Sequence, residues 1–179
     1  MPDTGWLDFT TFASVAGTGD VSWTDPGKAI SADADPVIAA SVGNDQASEY
    51  LRASGADFSV IPVGASIIGI IARLRVSTPP SSTGSVVDEL VQLSIGGVLI
   101  AGSDNKASLV PWHTAMPNDA YRYRTYGSSV DTWMAGLTRT DLADLELNVQ
   151  VRVQAGGDWA LLDHMQVRIY YRRRRRGRM

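Results

Sequence analysis

Residues 145–155 read LELNVQVRVQA, and this stretch gives the clearest indication of the fold class. Every odd-numbered position from Leu145 to Ala155 is apolar, and every even-numbered position from Glu146 to Gln154 is polar. Side chains of a β-strand point alternately to two faces, whereas those of a helix repeat every 3.6 residues. The pattern therefore predicts a strand with one buried face and one solvated face.

A second alternating stretch follows after the turn-like residues 156–158. Residues 159–171 read WALLDHMQVRIYY and continue the alternation through Met165, Val167, Ile169 and Tyr171. Because only a short glycine-containing segment separates the two stretches, we predict that they pair as a β-hairpin.

Further strands are predicted upstream, at residues 50–61, 65–76 and 87–95, with a turn at Gly96–Gly97 leading into residues 98–102. One short helical turn is predicted near residues 138–144, with either Thr138 and Asp141 or Thr140 capping its start. Seven to nine short strands and no sustained helical period indicate an all-β fold. We predict an antiparallel β-sandwich of the jelly-roll type.

The chain has 179 residues, the length of one domain with its own core. Residues 1–45 are rich in Gly, Asp and Ala and alternate only weakly, so we assign them to an N-terminal arm or to peripheral strands. Residues 46–171 form the predicted sandwich. Residues 172–179 form a basic C-terminal tail.

The sequence disfavours an enzyme. It has no cysteine, which excludes a disulfide framework, a cysteine nucleophile and a thiolate zinc site. Of the two histidines, His113 lies in a predicted loop, and His164 follows Asp163, which we expect on the opposite strand face, so the two would form no orienting pair. No nucleotide-binding or hydrolase motif is present. We predict no catalytic residues, no cofactor and no metal site.

Four segments in this order resemble a known family: SVIPVGASIIGIIARLRV (59–76), LVQLSIGGVLIAGSDNKAS (90–108), WMAGLTRTDLADLELNV (133–149) and DHMQVRIYYR (163–172). Together they resemble the jelly-roll β-sandwich domain of structural proteins from tailed bacteriophages, over about residues 50–171. The chain departs from the family pattern at Met134–Ala135, where a glycine usually follows the tryptophan. The resemblance implies a component of the virion, either in the capsid or in the tail.

We therefore predict a non-enzymatic phage structural protein, a cement or decoration protein that binds and stabilises the assembled capsid lattice. Its expected partners are the major capsid protein and further copies of itself, in a homo-oligomer such as a trimer. It would be made in the host cytoplasm and reside on the capsid surface, without membrane contact, because no signal peptide or spanning segment is visible. The alternative is a tail or receptor-binding module that contacts a host glycan.

Two segments supply candidate partner-binding residues. Without the six arginines of the tail the formal net charge would be −9 instead of −3, so a basic end is joined to an acidic body. The tail is interpreted as an anchor on an acidic surface of the capsid or of a sister subunit, as a solvated terminus, or as a nucleic-acid contact, which the acidic body disfavours. The second segment, YRYRTY at residues 121–126, is interpreted as an exposed edge strand at a subunit contact or as a surface that stacks bases or sugars. The candidate residues are Arg172, Arg173, Arg174, Arg175, Arg176 and Arg178 in the tail, and Tyr121, Arg122, Tyr123 and Arg124 in the strand.

Overall fold

Two antiparallel β-sheets pack against each other in the computed structural model, which describes residues 1–40, 45–79, 85–112, 121–154 and 159–173. The predicted all-β, antiparallel sandwich is confirmed. Eight of the eleven strands have four or more residues, and the other three have two. The strands are β1 (Leu7–Asp8), β2 (Thr11–Val15), β3 (Trp23–Thr24), β4 (Val37–Ala40), β5 (Tyr50–Ser54), β6 (Ser66–Ser77), β7 (Val86–Ile95), β8 (Val98–Leu99), β9 (Arg122–Ser128), β10 (Leu145–Val153) and β11 (Trp159–Arg172).

One sheet has six strands and the other has five. The six-stranded sheet has the order β3-β4-β11-β6-β9, and β1 also pairs with β11. The five-stranded sheet has the order β2-β5-β10-β7-β8. Strands β2 and β8 are the edges of the smaller sheet, and β9 is one edge of the larger sheet.

The predicted hairpin between β10 and β11 is wrong. Strand β10 pairs with β5 and β7, whereas β11 pairs with β6, β4 and β1 in the opposite sheet. Both strands alternate because each covers one side of the same core, so the alternation says nothing about which strands pair. The predicted turn at residues 156–158 lies outside the described residues.

The alternating apolar side chains line the core as expected. Val149, Val151 and Val167 are buried between the sheets. Trp112 and Trp133 are also buried, whereas Trp159 is half exposed. The strand phases read from the sequence therefore describe the core correctly for β10 and β11. On β7 a register shift opposite Gln150 and Val151 places Val87 opposite Arg152, so regular alternation fails there.

The short helical turn is present as a 3-10 helix at Asp141–Asp144. The backbone N–H and the hydroxyl of Thr138 both donate to the carboxylate of Asp141, each at 2.7 Å. Thr140 occupies the N-cap position without a side-chain capping bond. Of the two proposed caps, the structure forms the one between Thr138 and Asp141.

The strands within residues 1–40 belong to the two sheets of the sandwich. Strand β1 pairs with β11, β2 pairs with β5, and β3 pairs with β4, which itself pairs with β11. Phe9 and Trp23 from this region are buried in the common core. A second 3-10 helix, Pro26–Ala29, also belongs to it.

Candidate functional site

Strand β9 carries residues 122–126 of the YRYRTY segment at an edge of the six-stranded sheet as far as the chain is described, and Tyr121 precedes it. The subunit contact expected at this edge stays a prediction. The side chains of the segment divide between two faces. Tyr123 and Tyr121 lie on the outer face, and Tyr123 remains 43% exposed. Arg124 and Tyr126 turn toward the other sheet, while Arg122 is exposed near the start of the strand. The structure therefore separates the four residues that the sequence grouped.

Arginine side chains stack on the outer aromatic rings. The guanidinium carbon of Arg73 lies 4.0 Å from the ring centre of Trp6 and 4.2 Å from that of Tyr123. Arg168 lies 4.7 Å from the Trp6 ring centre. Such distances are typical of cation–π contacts, which add to packing. Arg75 lies 5.0 Å from the ring centre of Tyr121. We call this outer surface the aromatic–arginine face; it comprises Trp6, Arg73, Arg75, Tyr121, Tyr123 and Arg168.

Hydrogen bonds fix the positions of these side chains. The Gln166 carboxamide accepts from Nε of Arg73 and donates to Asp8, each at 2.5 Å. Asp8 also lies 3.0 Å from Nε2 of His164, and Nδ1 of His164 lies 3.4 Å from the Tyr123 hydroxyl. Because these groups come from β1, β6, β9 and β11, the network joins four strands.

The prediction that Asp163 and His164 lie on opposite faces of a strand is wrong, because β11 contains a β-bulge at this point. The register shifts between Leu162 and His164, so that Asp163 is the extra residue. Asp163 pairs with Arg75, and His164 faces Asp8 and Tyr123, so both side chains lie on the outer side of the sheet. They contact different partners and do not orient each other. Burial raises the pKa of Asp163, while the positive charge of Arg75 opposes that rise.

A second polar cluster joins the sheets and was not found from the sequence. The fully buried carboxylate of Asp88 on β7 accepts hydrogen bonds from Nε1 of Trp112 at 2.7 Å, from the Tyr126 hydroxyl at 3.1 Å and from the Ser108 backbone at 3.1 Å. Nη2 of Arg124 lies 3.4 Å away. Burial raises the pKa of Asp88, and its hydrogen-bond donors oppose that rise. The signal in the sequence was an acidic residue directly after two valines at the start of β7, on the side of the strand that faces the core.

The tail is described only at its beginning. Arg172 ends β11 and Arg173 follows it; both are exposed, and neither forms an ion pair within the described parts of the chain. The remaining tail candidates, Arg174, Arg175, Arg176 and Arg178, lie outside the described residues, as does His113. A cavity of about 420 Å³ lies beside the start of the tail, lined by Met1, Pro2, Ile68, Tyr171, Arg172 and Arg173.

On the aromatic–arginine face, the rings of Trp6 and Tyr123 both stack on Arg73, so the guanidinium occupies one side of each ring. Among the described residues, no helix is long and apolar enough to cross a membrane.

Comparison with known protein families, curated proteins and solved structures found no match. The resemblance of the four sequence segments to phage structural proteins therefore stays a prediction.

Proposed function

We propose that the protein is a non-enzymatic virion structural protein that decorates an assembled phage capsid. The observation that carries this proposal is the aromatic–arginine face. Trp, Tyr and Arg are the residues most enriched among the side chains that dominate binding energy at protein interfaces. Since stacking and hydrogen bonds already order these side chains, binding would require little further loss of side-chain entropy.

The strand pairing supports the finer assignment of the sandwich as a jelly roll. Along the chain from β4 to β11, the first strand pairs with the last, the second with the second last, and so inward: β4 with β11, β5 with β10, β6 with β9 and β7 with β8. Such nesting is what a long antiparallel ribbon produces when it folds over on itself into two sheets. Jelly rolls of eight strands occur in viral capsid and lectin domains.

The proposed mechanism is stabilisation by linkage. Copies that bind the assembled lattice, but not dissociated capsid subunits, shift the equilibrium toward the intact shell. A homo-oligomer would extend this effect by contacting several capsid subunits at once. Its binding partners would be the major capsid protein and the protein itself.

The arginine tail enters the proposal as a second contact, an anchor on an acidic surface of the capsid or of a sister subunit. Arginine forms bidentate contacts with carboxylates, and these weaken as salt rises when they are exposed. Removing residues 174–179 should leave the fold intact and reduce the salt dependence of docking.

Thermal melting of undecorated capsid shells tests the docking role. We expect the purified protein to raise the shell melting temperature. The Tyr123→Ala variant should bind about 30-fold more weakly, which corresponds to a contact worth about 2 kcal/mol. Thr125→Ala is the matched control, because Thr125 is an exposed residue on the same strand that forms none of the stacking contacts.

Two outcomes would contradict the proposal. One is the absence of any effect of the protein on shell melting. The other is equal binding by the Tyr123 and Thr125 variants, which would show that the aromatic–arginine face does not carry the contact. Glycan binding by the isolated protein with unchanged shell melting would favour the receptor-binding alternative.

A further inference from the structure

The cavity at the end of β11 has the size and lining of a binding pocket. Its volume of about 420 Å³ falls within the range of ligand sites, about 300–1,000 Å³. Met1, Pro2, Ile68 and Tyr171 form its apolar walls, and Arg172 and Arg173 complete the lining. The pocket lies at the second bulge between β6 and β11. Gly69 pairs with Tyr170 and Ile67 with Tyr171, which leaves Ile68 without a partner in the ladder.

The two arginines determine the charge that this pocket favours. Both side chains are exposed, and in the described portion of the chain neither pairs with a carboxylate. An apolar pocket beside two unpaired guanidinium groups is complementary to an apolar group flanked by negative charge. Carboxylates fit this role because arginine binds them in a bidentate geometry.

Exposed apolar side chains also occur at the same end of the sandwich. The loop between β5 and β6 exposes Val60 and Val63, and Val63 is 97% exposed. The segment after β9 exposes Val130 and Met134, each at 71%. Both segments belong to the end at which β6 begins and β11 ends. Several uncovered apolar side chains in one region indicate a protein contact more than a site for a small solute.

We propose that this cavity, the β11-end pocket, docks an acidic apolar segment of a partner protein. One large aliphatic or aromatic side chain enters between Ile68 and Tyr171, and neighbouring Asp or Glu side chains pair with Arg172 and Arg173. The proposal rests on the docking role and specifies the chemistry of the partner.

Fluorescence anisotropy with the full chain and two labelled peptides tests the pocket. The probes are Glu-Asp-Leu-Trp-Asp-Glu and its uncharged counterpart Gln-Asn-Leu-Trp-Asn-Gln. We expect the acidic peptide to bind at least about tenfold more tightly, a difference of about 1.4 kcal/mol. Ile68→Glu should weaken acidic-peptide binding by at least about tenfold, because it places a carboxylate in the apolar pocket while every arginine stays in place. Ile68→Val is the matched control and should bind like the wild type.

Ile68→Phe provides a second variant if the glutamate lowers the melting temperature. It fills the cavity with apolar atoms, so it should also weaken binding. Unchanged affinity of the folded Ile68→Glu or Ile68→Phe protein would overturn the pocket, because the arginines alone would then account for binding. Failure of the acidic peptide to bind the wild type would overturn it as well. Shell melting tests the docking role independently of the peptide assay. Loss of peptide binding with an intact effect on shell melting would therefore contradict the pocket alone, and the reverse result would contradict the docking role alone.

Discussion

Replacing Asp88 by alanine tests how the two sheets are joined. The Asp88 carboxylate belongs to β7 in the five-stranded sheet, whereas Tyr126 and Arg124 belong to β9 in the six-stranded sheet. Trp112 donates to the same carboxylate at 2.7 Å. Asp88 is therefore a polar link across an otherwise apolar core, and its removal leaves several buried donors without their acceptor.

The stability that Asp88→Ala should lose follows from the burial of the Asp88–Arg124 ion pair. Removing one partner of a buried ion pair costs about 3–5 kcal/mol, because the other charge stays buried and uncompensated. Arg124 also donates to the carbonyl oxygens of Val110 at 3.0 Å and Pro111 at 3.2 Å, which retain part of its hydrogen bonding. We therefore expect a loss near the lower bound, about 3 kcal/mol.

Thermal unfolding followed by circular dichroism at neutral pH measures this loss. For a chain of 179 residues, about 3 kcal/mol corresponds to a fall in melting temperature of about 6–12 °C. Asp35→Ala is the matched control, since its side chain is 64% exposed and pairs with Lys28 in a surface contact worth at most about 1 kcal/mol. A melting temperature of Asp88→Ala within about 2 °C of the wild type would refute the reasoning.

Three further substitutions test other features. Burial raises the pKa of Asp88 above its ordinary value of 3.8, so the folded state holds this proton more tightly and gains stability as the pH falls through the folded pKa. Asp88→Asn lacks this gain, so its melting temperature should fall further below that of the wild type at about pH 4 than at neutral pH. A smaller difference at about pH 4 than at neutral pH would contradict the predicted direction of the pH dependence. Gly69→Ala would place a methyl carbon 2.2 Å from the Ser129 backbone and should cost about 1–3 kcal/mol in urea unfolding, whereas Gly27→Ala, with no atom within 4 Å, should change little. Val151→Asp buries an unpaired charge and should cost at least about 3 kcal/mol, unlike Val63→Asp on the surface; equal melting of the two variants would mean that the register of β10 is wrong.

The sequence predicted which side of β10 and of β11 is buried but did not predict which strands pair. Alternation records only the phase of a strand relative to the core, and that phase is the same whether the neighbouring strand lies in one sheet or the other. Strand β11 illustrates this limit. Its apolar residues Val167 and Ile169 are buried as expected, yet its main partner is β6, about ninety residues upstream, with Ile169 opposite Ile70.

The candidate site was predicted in part. The sequence grouped Tyr121, Arg122, Tyr123 and Arg124 as one candidate surface, and the structure places only Tyr121 and Tyr123 of these on the aromatic–arginine face. Trp6 and Arg73 are distant in sequence from these tyrosines and from each other, so only the strand order shows that they meet. β-Bulges also prevented a correct prediction of which side of the sheet some side chains occupy. One extra residue at Asp163 places two adjacent side chains on the same side of the sheet, and regular alternation does not foresee this.

The aromatic–arginine face and the β11-end pocket both take residues from β6 and β11, and the face also includes Trp6, Tyr121 and Tyr123 from outside these two strands. Arg75 and Ile68 are seven residues apart on β6, and at about 3.3 Å per residue this spans roughly 23 Å. Tyr123 is the exposed member of the face, while Arg172 and Arg173 are the exposed charges beside the pocket. A partner that contacts both sites would have to reach from the outer surface of the sheet to its end, because Tyr171 of the pocket belongs to the buried core. Two unlike contacts at a fixed separation would set the orientation of such a partner.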